Sequence, residues 1–188
     1  TNVIVPTYMD ISSNYNFTQT IQIPDSNIRS QIGVLSYLRF FCIGGQLAEL
    51  WLTPIWGTVS GTVNVPTPGG EIRTVNVRPH SGFADPFLQL RVGLFGSPAL
   101  KPAEFVKHPQ TFQVYGLFGF GPPLGDYDSA RLINLGTNRW MFRLGVPIVL
   151  PFGNPKNPFW LEANPNVYLY TNNTDVSGPG TVRSQNPL

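Results

Sequence analysis

Residues able to do acid–base, nucleophilic or metal chemistry are few in this chain, and their spacing suits none of it. The two histidines, His80 and His108, each sit beside a proline with no patterned partner, so solvated loop positions are expected rather than a base or a metal ligand. No serine occupies a nucleophile elbow. Asp126 and Asp128 follow Pro122-Pro123-Leu124-Gly125 and sit one residue apart. A calcium loop would need more oxygen donors and a downstream glutamate, so the pair reads as turn chemistry. Gly116, Gly119 and Gly121 cluster without the lysine or the strand-to-helix context of a phosphate loop, and close strand packing explains them. The single cysteine, Cys42, excludes an internal disulfide and a cysteine-based zinc site. It reads as a small buried hydrophobe. The chain is therefore expected to be no enzyme and to hold no metal or cofactor.

Composition narrows the classes further. Charged residues are 12% of 188, with 19 glycines, 19 prolines and 13% aromatics. That is roughly half the usual charge of a soluble domain. The net charge is +2 with no basic block, so no nucleic-acid partner is expected. No apolar run approaches the roughly 20 residues of a membrane helix.

Period-two alternation, by contrast, runs almost throughout. Strands are expected at 3–10, 30–43, 46–61, 86–96, 110–121, 139–150 and 158–171. Several exceed the usual five or six residues and match strands that cross a bilayer at a tilt. Leu88, Leu90, Val92 and Leu94 alternate with Gln89, Arg91 and Gly93; Phe142, Leu144 and Val146 alternate with Met141, Arg143 and Gly145. Ile32, Val34, Leu38, Phe40 and Cys42 are read as one apolar face, with Tyr37 and Arg39 behind. Charges on the mixed faces are sparse and sign-balanced, which suits an enclosed wet lumen better than a surface in bulk water. Gly44-Gly45 signals a hairpin, whereas 62–84, 97–109 and 122–138 read as long connections. Prolines at 54, 147 and 165 interrupt the ladders. The expected class is all-β, an antiparallel up-and-down transmembrane β-barrel, with a soluble β-sandwich as the alternative. One domain is expected over 1–188, incomplete at its C-terminal end, because seven strands do not close a bacterial barrel.

One segment goes further than pattern. Gly125-Asp126-Tyr127-Asp128-Ser129-Ala130-Arg131-Leu132-Ile133-Asn134-Leu135-Gly136-Thr137-Asn138-Arg139-Trp140 resembles the signature of a bacterial outer-membrane family labelled meta-pathway phenol degradation, or transporter-like. Ser81-Gly82-Phe83-Ala84-Asp85-Pro86 is similar to that family's turn before a strand. The resemblance implies a barrel of roughly twelve strands, a location in the bacterial outer membrane, and uptake of small aromatic or hydrophobic solutes. It implies no catalytic residues and no cofactor.

If solutes pass, the residues on the mixed faces would line the path. Tyr37, Arg39, Glu49 and Arg91 come from the first half of the chain; Tyr115, Arg143, Trp160, Glu162 and Tyr168 come from the second. Arginine and tyrosine could hold a phenolate or carboxylate by charge and stacking. The reading preferred from sequence is that the same side chains fill and staple the lumen. The expected partners are membrane lipid, a small aromatic solute, and a protein partner or further copies. A non-transporting barrel that docks a protein through its long loops is the rival function.

Overall fold

The computed structural model describes residues 1–13, 15–16, 21–22, 27–66, 70–109, 111–131, 133–154 and 157–176. Strands β1 (Asn2–Ser13), β2 (Tyr15–Asn16), β3 (Ile21–Gln22), β4 (Asn27–Ile43), β5 (Gln46–Thr53), β6 (Ile55–Pro66), β7 (Ile72–Phe83) and β8 (Phe87–Phe95) precede one short helix, α1 (Pro102–Phe105). Strands β9 (Gln113–Gly121), β10 (Met141–Gly145), β11 (Ile148–Asn154), β12 (Asn157–Ala163) and β13 (Asn166–Tyr170) follow it. Apart from the small β2–β3 pair, every strand belongs to one antiparallel sheet. No second sheet packs face to face on it among the described residues, so the β-sandwich is not what forms.

The prolines explain why the strands come in pieces. Pro54 separates β5 from β6, Val146-Pro147 separates β10 from β11, and Asn164-Pro165 separates β12 from β13. Proline loses its donor but keeps its acceptor. Leu35 N therefore still donates to the Pro54 carbonyl (3.2 Å), Tyr115 N to Pro147 (2.9 Å) and Val146 N to Pro165 (3.0 Å). The ladder continues across each break. Joined in this way, the pieces make seven long strands in up-and-down order, the curled wall of a half-barrel.

The stretch expected as a loop over 62–84 is instead the β6–β7 hairpin. Its alternation was hidden by small polar side chains (Thr62, Asn64, Thr74, Asn76) and by a bulge. The register shifts between Val59 and Gly61, so β7 changes parity at Arg78-Pro79, and period two fails there. His80 consequently lies on a strand opposite Val59. Its Nε2 is buried without a hydrogen-bond partner, so it is not a solvated loop residue.

Cross-strand register assigns the faces, because directly opposed residues point the same way. One row runs Leu52, Leu88, Phe120, Phe142, Leu169; the next runs Leu50, Leu90, Phe118, Leu144, Val167. This leucine face is apolar over five strands and exposed, with Phe118 and Leu144 each 45% accessible. Such a surface needs lipid against it. Replacing Phe118 with arginine is expected to cost about 2–4 kcal/mol of bilayer stability. Arginine at Thr53, on the opposite face, should cost under about 1 kcal/mol, a margin typical of lumen substitutions. Urea midpoints for refolding into liposomes measure both, and equal costs would overturn the assignment.

Two positions correct the sequence reading. The Gly44-Gly45 turn, with φ of +57° and +82°, is a tight hairpin that sets Ile43 opposite Gln46. This register places Tyr37 opposite Leu52 and Arg39 opposite Leu50, both on the leucine face. Ile32, Val34, Leu38, Phe40 and Cys42 fall on the mixed face instead, and Cys42 is exposed rather than buried. Alternation within β4 could not decide the matter. Leu35, Phe41 and Ile43 make its other face equally apolar.

The leucine face ends in an aromatic row. Tyr8, Gly33, Trp56 and Phe83 oppose one another across four strands, and the Trp56 ring lies over Gly33. Beyond that row the same face turns polar, with Gln31, Thr58 and Ser81 in register and the Arg29–Asp10 ion pair (2.6 Å) past them. Amphipathic rings at an apolar–polar boundary are the arrangement of an interfacial belt.

Candidate functional site

The mixed face carries two features: a folded-in loop and a strip of charged and aromatic side chains. The loop is 122–140, between β9 and β10. Ile133 and Leu135, 3% and 6% exposed, pack with Ile28, Val59 and Val63 of β4 and β6. Those strand residues all lie on the mixed face. The apolar positions of the loop thus bury themselves against the inside of the wall rather than extending outward.

Its anchor is Asp85, in the break between β7 and β8. Asp85 Oδ1 accepts from Gly125 N (2.7 Å), and Oδ2 accepts from Thr137 N (2.8 Å) and Thr137 Oγ1 (2.6 Å). One carboxylate thereby pins both ends of the loop. Asp126 adds a second tether, because its Oδ2 accepts from Phe83 N (2.7 Å) and its own N–H donates to the Phe83 carbonyl (2.7 Å). A side chain at Gly82 would collide with the Asp126 carboxylate. Gly125 and Gly136 meet backbone to backbone, and a Cβ on Gly136 would stand 2.7 Å from Gly125 C and O. Neither position tolerates anything larger.

The remaining signature residues hold the loop's own shape. Asn134, 2% exposed, accepts from Asp128 N (2.9 Å) and donates to the Asp128 carbonyl (3.0 Å). Asp128 Oδ1 accepts from Ala130 N (2.9 Å), and its Oδ2 pairs with Arg131 (3.4 Å). For Asp128 this is the turn chemistry expected of the pair, whereas Asp126 tethers the loop to β7 instead. Asn173 closes the far side, donating to Tyr127 Oη (2.9 Å) and accepting from Asn138 Nδ2 (3.0 Å). Trp140 N and Thr171 N then start the pairing toward β13. The sequence places Asp85 within the Ser81–Pro86 motif but assigns it no role, and Asn173 lies outside both motif segments; their hydrogen bonds to the loop reveal what they do.

The strip lies on the same face. Glu49, 3% exposed, pairs with Arg91 directly across β5 and β8, and accepts from Trp51 Nε1 (3.2 Å). Arg91 stacks over Tyr115 (4.5 Å), whose hydroxyl donates to Gln113 (2.6 Å). One register row away, Arg143 reaches over Gly119 to donate from Nη1 to Gln89 Oε1 (2.8 Å). Its Nε donates to Asn166 (3.2 Å), and its guanidinium lies 5.4 Å from the Tyr168 ring. Trp160 and Glu162 share this face on β12 and are exposed. Seven of the nine residues expected to line a lumen therefore fall together, while Tyr37 and Arg39 stand apart. No group of three or more His, Cys, Asp or Glu able to hold a metal exists among the described residues.

An up-and-down antiparallel wall, leucine-covered outside and charge-stapled inside with a loop folded onto its inner face, defines the class of outer-membrane β-barrels. The chain belongs to the family described as "Putative MetA-pathway of phenol degradation", whose model matches residues 12–186. It is similar in fold to the crystal structure of an outer membrane channel from Pseudomonas putida F1, with a TM-score of 0.62 at 19% identity. That match covers 99% of this chain and 62% of the channel, so the chain spans less than two thirds of the channel's length. No curated protein matches it.

Proposed function

We propose that this chain forms the wall of an outer-membrane channel that passes small aromatic or hydrophobic solutes in bacteria. The observation that carries the reading is the 122–140 loop, pinned by Asp85 to the inner face of a wall whose outer face suits lipid. An inward loop narrows a lumen, and a narrowed wet path is what a solute-selective barrel needs. Family membership supports the aromatic solute class. Both sheet edges, β1 on one side and β12–β13 on the other, pair on one flank only among the described residues. Closure at roughly twelve strands requires further wall. Passive passage needs no cofactor, metal, nucleic acid or catalytic residue.

Conductance in planar bilayers, with unboiled against boiled gel mobility as the control for a closed barrel, tests the proposal. Discrete conductance steps are expected. A barrel that shifts on boiling yet never conducts would favour the rival reading, a structural barrel that docks a protein. The near-complete burial of the loop's own Ile133, Asn134 and Leu135 on the inner side of the wall is the observation in that reading's favour.

A further inference from the structure

We propose that Arg143, with Tyr168 beside it, is a binding station for an aromatic carboxylate on the inner wall; this deepens the channel reading and rests on it. Arg91 and Arg143 differ in how they are compensated, while Arg139 lies over the neighbouring Tyr170 ring (4.7 Å). Arg91 is neutralised by Glu49 directly opposite. Arg143 forms no ion pair among the described residues: β9, β10 and β13, the strand it sits on and the two flanking it, contain no Asp or Glu. Glu162, the acid on the same face of the edge strands, is six residues from Tyr168, about 20 Å at the rise of a strand. Arg143 is held instead by neutral amides, Gln89 through Nη1 and Asn166 through Nε. These fix the fork without cancelling its charge, and Nη2 keeps donors for a ligand.

The surroundings supply the ring recognition. Tyr168 lies under the guanidinium, and Tyr170 stacks beside it at 6.4 Å between centroids. Gly119, between Gln89 and Arg143, is covered by the Phe87 ring, which adds an apolar surface beside the fork. A planar ligand with an anionic oxygen pair fits this set, with the carboxylate on the guanidinium and the ring along the tyrosines. A carboxylate fits better than a phenol at neutral pH, because a phenolic group with the tyrosine-like pKa of about 10 stays protonated.

Benzoate is the probe, and binding is read separately from conduction. Titration calorimetry on the complete detergent-solubilised protein should show benzoate binding more tightly than acetate. Arg143→Gln should weaken benzoate by at least about tenfold, the scale of a lost charge-assisted hydrogen bond. Arg143→Lys should keep part of the affinity, and Tyr168→Leu should bring benzoate close to acetate. In bilayers under a salt gradient, the wild type should favour anions, and Arg143→Gln should lose that preference. Unchanged benzoate affinity in Arg143→Gln overturns the station. If that variant fails to shift on boiling, Arg143→Lys and Tyr168→Leu decide, and wild-type affinity in both overturns it. Benzoate binding that survives without any conductance would sink the channel reading and leave the station standing.

Discussion

Replacing Asp85 with alanine is expected to release the 122–140 loop from the wall and raise the conductance of the channel. The carboxylate accepts three hydrogen bonds, from Gly125 N, Thr137 N and Thr137 Oγ1, and so holds a backbone N–H at each end of the loop. Bonds to a charged acceptor contribute about 1.5–3 kcal/mol each, and they share one residue, so their sum is not additive. A loss of about 3 kcal/mol of anchorage is a reasonable centre, which raises the open-loop population by about a hundredfold. The Asp126–Phe83 tether and the burial of Ile133 and Leu135 remain, so opening is transient rather than complete. Larger and noisier current steps should result. Limited proteolysis should cut near Arg131 in Asp85→Ala while leaving the wild type intact. Asp85→Asn keeps the shape and one acceptor and should fall between. If proteolysis and conductance both match the wild type, Asp85 is not the anchor.

The second large effect is expected at Arg91. Truncation to alanine leaves Glu49, 3% exposed, with Trp51 Nε1 as its one side-chain hydrogen-bond donor among the described residues. Removing one partner of a buried ion pair costs about 3–5 kcal/mol. The Arg91 side chain is 29% exposed against 4% for Glu49, so solvent screens part of the interaction and the low end, about 3 kcal/mol, applies. The stack over Tyr115 is lost as well. A fall in the temperature at which the unboiled band collapses, and in the urea midpoint for liposome refolding, measures the loss. The double variant Arg91→Ala with Glu49→Leu should recover most of it, because no uncompensated charge then remains inside the wall. A loss below about 1 kcal/mol in the single variant would show that water, not Arg91, solvates Glu49.

Much of this molecule was legible as a line of residues. Five of the seven long strands could be read face by face, because Leu, Phe and Val alternate there with Gln, Arg and Gly and the period needs no tertiary context. Family membership rested on the 125–140 segment, whose residues sit in fixed order within one loop. The readings failed where the signal is a relation between segments. In β4 both faces are apolar, so the choice belongs to the Gly44-Gly45 hairpin, and that register moved Tyr37 and Arg39 to the lipid side. In β7 a bulge reset the parity, and a twelve-residue strand read as a loop.

The sequence by itself therefore determined the fold class, the strand count and the family, because alternation, glycine turns and a contiguous signature are local properties of the chain. The tertiary structure decided the rest. Ser81–Pro86 and Gly125–Trp140 are separate motifs until Asp85 binds both ends of the loop over spans of 40 and 52 residues. Glu49 and Arg91, 42 residues apart, become partners only because β5 and β8 are neighbours in the sheet. Hydrogen bonds and ion pairs act over about 3 Å, and which residues come that close is set by strand register rather than by distance along the chain.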